Sequence, residues 1–239
     1  MINFDENVWI FDGEAVNFYS FPFTTRMTIV VLSNGDLWVH SPIKLTPDLQ
    51  DQVDSLGKVT YLIAPNHLHH LFLEEWQKAY PDSLMYGTKQ VIKKRDDISF
   101  DGVLDDMSNT PWEEDINQLL FTGSSAMQEC VFFHKKTRVL IVTDLIENFS
   151  PEALPFFKRQ IAKLGGVIAP NGKMPADWRL SFYFRKKEAR KHIEKILSWK
   201  PKKIILSHGE MIQENAEEFL RRSFQWVGLP KASTNQHIK

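Results

Sequence analysis

Three short apolar runs, residues 59–64, 138–143 and 202–206, set the strongest limit on what this chain can fold into. Each has the length and composition of a strand buried on both faces, and segments of helical periodicity lie around them, a combination that predicts a layered α/β protein. Each run is followed within a few residues by a group able to bind a metal or move a proton: His67, His69 and His70 after the first, Asp144 after the second, His208 after the third. In layered α/β folds ligands gather where loops leave strand ends, because the backbone there is rigid and the next helix presents its positive end. Residues far apart in sequence are thereby predicted to meet.

The remaining pattern fills in around these runs. Residues 8–11, 15–19, 27–32 and 37–40 read as strands, with Asn34-Gly35 predicting a hairpin between the last two. Thr46-Pro47 is an N-cap with proline at the first helical position, predicting a helix over 47–56 that stops at Gly57. Helical spacing follows at 71–80 and 88–95, and strands at 84–86, 116–121 and 129–134. Ser150-Pro151-Glu152 opens a helical stretch to about Leu164, interrupted by Pro155, and basic and amphipathic helices are predicted over 186–199 and 212–227. One domain over 1–230 and a disordered polar tail over 231–239 complete the reading. The loops 99–112 and 169–178 are long enough to serve as lids.

Composition excludes several classes. The chain of 239 residues is 43% hydrophobic and 25% charged, which is globular rather than disordered or collagenous. Twenty-nine basic against thirty acidic residues leave a net charge of −1, so no global field favours nucleic acid or an anionic membrane as partner, and a small molecule is the expected one. The single cysteine, Cys130, allows no intrachain disulfide and no thiolate cluster; any metal must use imidazole and carboxylate. It lies in an apolar strand and reads as a buried small hydrophobe. The acidic start Met-Ile-Asn-Phe-Asp-Glu-Asn and the absence of an apolar run of roughly 18 residues predict a cytoplasmic location. No phosphate-cradling glycine pattern and no nucleophile elbow is present.

Each candidate has a plainer reading beside it. Adjacent histidines often sit on surfaces, a strand-terminal Asp often caps a turn, and a buried-type Trp or Phe usually belongs to the core. By these measures Trp38, Phe72, Trp76, Trp112 and Trp178 are core residues before they are cleft residues. Ser41-Pro42 reads as a turn that takes His40 away from the site, His134 faces a lysine turn and is expected to be exposed, and His192 is mid-helix among lysines. The coincidence of four histidines and one Asp at matching strand ends sets the shared site apart.

The order of elements, with Ala64-Pro65-Asn66-His67-Leu68-His69-His70-Leu71-Phe72, Val142-Thr143-Asp144 and Ser207-His208-Gly209, resembles the metallo-β-lactamase superfamily over most of the chain. It is similar to a branch without an assigned substrate, in which Asn-x-x-His-His stands in place of His-x-His-x-Asp-His. The resemblance implies a four-layer αββα sandwich with its site along the edge between two sheets. Aligned from its end, the superfamily motif falls on residues 65–70: its first His position becomes Pro65, its Asp becomes His69, and His67 and His70 stay. The next first-site His would fall near Ser125. The first metal site of the superfamily is therefore expected to be broken.

What the resemblance implies for the second site is one divalent cation, zinc first and iron or manganese next, held by His69, His70, Asp144 and His208. His67 and Glu129 are further candidates, and Asp144 and His69 are the expected catalytic groups. A register keeping His67 and His69 as the first pair would put Leu71 and Phe72 where Asp and His are required; in either register a helix starting at Asn66 would place His67 and His70 on one face. Two functions stay open: hydrolysis of a small ester, thioester, lactone or phosphoester at a mononuclear centre, or a catalytically silent, metal-free binding or scaffolding role. A redox role with iron is a third.

Overall fold

The computed structural model describes residues 1–18, 21–107 and 109–229. Seven strands form the first sheet in sequential order: β1 (Ile2–Asp5), β2 (Val8–Phe18), β3 (Phe21–Val31), β4 (Asp36–His40), β5 (Lys58–Ala64), β6 (Leu84–Gly87) and β7 (Gly102–Val103). Pairing is antiparallel through β4 and parallel from there on, with α1 (Pro47–Asp54), α2 (Leu73–Ala79) and α3 (Lys89–Lys94) as the crossovers. Parallel neighbours need such crossovers, whereas a tight turn suffices between β3 and β4. Gly35 supplies that turn with φ of +86°, and the Asn34 side chain accepts the Asp36 amide at 3.0 Å. The expected Thr46 cap is in place, accepting the Leu49 amide at 3.2 Å.

The second sheet has the order β11-β10-β9-β8, from β8 (Ile116–Phe121), β9 (Glu129–His134), β10 (Val139–Val142) and β11 (Lys203–Leu206). Its helices are α4 (Phe156–Gly165), α5 (Ala176–Ser181), α6 (Lys186–Ser198) and α7 (Ala216–Ser223). Alternation along each strand sorts side chains into three apolar layers. Trp38, Ile63, Phe132, Ile141 and Ile205 meet between the sheets, together with Cys130, which is buried as expected. Leu62, Met85 and Trp76 pack beneath α1 to α3, while Leu140, Leu206, Ile193 and Phe219 pack beneath α5 to α7. Helices therefore cover the outer face of each sheet, the four-layer αββα arrangement.

Several boundaries differ from expectation for identifiable reasons. Residues 8–11 and 15–19 belong to one long strand, β2, with a register shift between Gly13 and Val16; Tyr19 and the tail 231–239 lie outside the described residues. The helix expected over 71–80 begins only at Leu73, because Asn66 Oδ1 accepts the amides of Leu68 (2.8 Å) and His69 (3.2 Å) and holds a turn in place of a first helical turn. His67 and His70 consequently do not share a helix face. The helix expected over 212–227 starts at Ala216, after Asn215 in a left-handed conformation (φ +54°), and Ile212 instead bridges to Ile204. His134 is buried rather than exposed, its Nδ1 2.7 Å from Thr137 Oγ1 within the turn that closes the hairpin. Trp38, Trp76 and Trp112 are core residues.

Candidate metal centre

The edge between the sheets brings together His69, after β5, Asp144, after β10, and His208, after β11. One ligand atom from each lies within 4.8 Å of the others. His69 Nε2 is 3.2 Å from Asp144 Oδ2 and His208 Nε2 is 3.1 Å from Asp144 Oδ1, so one carboxylate faces two imidazoles. His208 Nδ1 donates to the Thr24 carbonyl at 2.9 Å, which fixes the tautomer when the ring is neutral and leaves Nε2 as a lone pair. His69 Nδ1 is 2.5 Å from Ser41 Oγ. The His208 lone pair against a carboxylate repels unless a proton or a cation lies between them. Two nitrogens and an oxygen, each oriented from behind, form a donor set that fits one divalent cation.

Electrostatics at the centre follow from the same contacts. Burial alone would raise the Asp144 carboxyl, but the facing His69 and His208 outweigh it and hold the group well below the usual carboxylate range. His208 is pushed the other way: burial opposes its charge, and the bond to Asp144 raises it above an ordinary imidazole.

Behind the triad lies a fully buried polar frame. Glu129 accepts the amides of Thr143 (2.8 Å), Asp144 (2.8 Å) and Leu145 (3.0 Å), clamping the loop that presents Asp144. Its carboxyl is pushed up to about 7 by burial and by Asp144, against the pull of those amides. Asn66 Nδ2 reaches Asp144 Oδ2 (2.7 Å), Thr143 Oγ1 (2.9 Å) and Glu129 Oε2 (3.2 Å). The amide orientation is set by the backbone donors on its Oδ1.

The six candidate ligands therefore separate. His69, Asp144 and His208 converge, while His70 lines the same cavity without joining them: its ring is held near Lys94 and Arg95, its Nδ1 is buried without a hydrogen-bond partner, and burial lowers it to about 4. His67 turns to Gln90 Oε1 at 3.2 Å. Glu129 grips backbone amides and does not reach the cavity. His40, expected away from the site, is buried against Trp38, and the following residue Ser41 touches His69. The sequence names Asn66 only as the first residue of the Asn-x-x-His-His motif, without a role, and does not single out Glu147, a nearly buried carboxyl on the cavity wall that burial pushes up to about 8. For Glu147 the sequence signal is a polar residue at a position flanked by core residues.

The triad opens into a cavity of about 460 Å³. Phe23, Ile43, Leu71, Phe72, Met127 and Trp178 supply apolar wall, Lys94 and Asp177 supply charge, and Glu147 adds a buried carboxyl. Fold and site together define a protein of the metallo-β-lactamase fold class with a possible metal-binding triad. The chain is similar to the DIM-1 metallo-β-lactamase, at a TM-score of 0.62 and 11% identity over 94% of each chain. A metallo-β-lactamase from Hirschia baltica matches at 0.61 and 13%, over 97% of this chain and 98% of that one. Rubredoxin:oxygen oxidoreductase from Desulfovibrio gigas matches at 0.65 and 11%, over 95% of this chain but 61% of that one. At these identities the likeness concerns the fold. No curated protein matches the sequence. The chain belongs to the DUF4336 family, a domain of unknown function whose model matches residues 5–166.

Proposed function

We propose that the protein is a metal-dependent hydrolase holding one divalent cation, zinc first, on His69, Asp144 and His208, and acting on a small ester, thioester, lactone or phosphoester with an apolar body. The observation that carries this reading is that the three ligands meet at an apolar cavity, the arrangement of a three-ligand site with a position left for substrate or water. When bound, a divalent cation supplies Lewis acidity, polarising the substrate oxygen and acidifying water. The protein's own groups supply the rest. Thr24 and Ser41 orient the two imidazoles, and Glu129 and Asn66 fix the Asp144 loop. Phe72, Met127 and Trp178 take the substrate body and exclude water. Glu147, whose carboxyl burial raises in the metal-free protein, lies on the same cavity wall as the triad.

One observation favours a second reading, a metal-free binding module: His208 is raised by Asp144, so protons can settle the facing lone pairs in place of a cation. Elemental analysis of untagged protein purified without chelator separates the two. The hydrolase reading expects about one equivalent of zinc, iron or manganese, lost in His69→Ala, Asp144→Asn and His208→Ala and retained in His67→Ala and His70→Ala. It also expects turnover of chromogenic esters or phosphodiesters that chelation abolishes and metal restores. Protein that takes up no added metal refutes it.

A further inference from the structure

Among the described residues, seven of the twelve exposed large hydrophobic side chains fall within residues 156–184, a small part of the chain. On α4 these are Phe156, Phe157, Ile161 and Leu164, with Phe157 80% and Leu164 87% exposed; the spacing of Phe157, Ile161 and Leu164 makes one helix face, while Ala162 is buried on the other. Leu180, Tyr183 and Phe184, the last 92% exposed, extend the set across α5 and into the turn before α6. The Arg179 guanidinium donates to the Gly165 carbonyl at 3.1 Å and ties the end of α4 to α5, so the two sets adjoin. Apolar exposure on this scale marks a surface that is covered in use.

Charge says by what. Residues 156–191 hold ten Lys and Arg against two Asp and Glu, a net of +8 in a chain whose total is −1. The whole-chain balance, which favoured no anionic partner, averages over this segregation. Lys163, Arg185, Lys186, Lys187 and Lys191 are exposed around the aromatic side chains. A second copy docked on this face through a two-fold axis would set these exposed lysines and Arg185 against their own copies. Aromatic and aliphatic side chains ringed by lysine and arginine are instead the composition that enters the interface of an anionic bilayer. The face also adjoins the cavity: α5 contributes Asp177 and Trp178 to the wall, and the underside of α4 packs in the cluster that includes Phe23, another wall residue.

We propose that α4, α5 and the start of α6 dock the protein on an anionic lipid surface, beside the mouth of its cavity. The docking does not depend on metal chemistry. Among the described residues no helix is long and apolar enough to cross a membrane, so the contact is interfacial. The test is co-sedimentation of the full chain with vesicles of phosphatidylcholine alone and with about one part in four of phosphatidylglycerol. Partition onto the anionic vesicles should exceed that onto the neutral ones by at least ~10-fold at low salt and fall as salt rises. The variant Phe157→Ser/Leu164→Ser should lower it by ~10-fold or more. Lys186→Glu/Lys187→Glu should lower binding to the anionic vesicles while leaving that to neutral ones unchanged. Equal partition onto both vesicle types, or binding that neither double variant reduces, overturns the proposal. So does a concentration-dependent dimer in sedimentation that Phe157→Ser/Leu164→Ser dissolves while vesicles remain unbound, an outcome that assigns the face to self-association.

Discussion

Glu147 gives the metal-free protein a pH-dependent stability whose sign and size follow from its burial. Its side chain lies on the cavity wall, nearly buried, and its carboxyl is pushed from an ordinary value near 4.5 up to about 8, first by burial and then by Asp144 and Asp177, with His208 pulling the other way. A group whose folded value lies above its unfolded one binds more protons in the native state across the interval between them. Its stabilisation is complete below about pH 4.5 and is lost as pH rises towards about 8. At 1.36 kcal/mol per unit, that interval corresponds to a loss of ~3–5 kcal/mol by pH 8.5. Glu147→Gln removes the titration while keeping the shape, so the variant should become the more stable protein at pH 8.5 by that amount, a rise in Tm of ~6–20 °C for a chain of this size. At pH 4.5 the two should agree to within ~1 kcal/mol. Urea unfolding of chelated protein at pH 4.5, 5.5, 6.5, 7.5 and 8.5 reads both profiles. His208 is also raised, in part by Glu147 itself, and contributes in the same direction, while Asp144 is lowered; only the parts of these shifts that do not depend on Glu147 cancel in the difference. A cation on the triad would favour the ionised carboxylate, so adding zinc to the parent should flatten its slope. Parallel profiles for parent and variant would refute the reasoning.

Two further substitutions test the frame behind the triad. Glu129→Ala strands the amides of Thr143, Asp144 and Leu145 in a fully buried place, and should cost ~3–6 kcal/mol in urea unfolding; a cost under ~1 kcal/mol would mean that the loop finds other acceptors. Gly209→Ala places a Cβ 2.1 Å from the Asn148 carbonyl at a residue with φ of +99°, so it should cost at least ~2 kcal/mol and displace His208 enough to weaken metal uptake, measured by titration calorimetry. Metal affinity equal to the parent's would show that the loop yields without moving the ligand.

The parts of this architecture legible in the sequence are those with a local physical cause. Asn34-Gly35 can make little but a tight turn, Thr46-Pro47 caps a helix whatever surrounds it, and the three apolar runs carry Asp144, His208 and the histidine cluster to strand ends because a buried strand must leave its sheet there. What the sequence withheld depends on contacts between distant residues. Nothing in Asn66-His67-Leu68-His69-His70 distinguishes His69 from His70 as the residue facing Asp144; that is settled by the Asn66 turn, which is itself held by Thr143, Asp144 and Glu129. Glu129 reads as a spare ligand from its position before a strand, and only its burial beneath three amides gives it a different task. The last helix is shorter than its periodicity predicts, because the pattern continues through Asn215, where the backbone turns left-handed.

The two sheets come from consecutive stretches of chain, residues 2–103 and 116–206, with no strand exchanged between them. His69 and its partner Ser41 belong to the first stretch, Asp144 to the second and His208 to the loop directly after it, and the carbonyl that orients His208 is again in the first, at Thr24. Neither stretch owns a ligand set, and each lacks what the other provides. The triad belongs to the seam: it exists only while the two halves are pressed together, and an ion seated there would be a clasp between them. A fragment of either half, however well it folded, would lack part of the triad, and one sheet alone could not carry it.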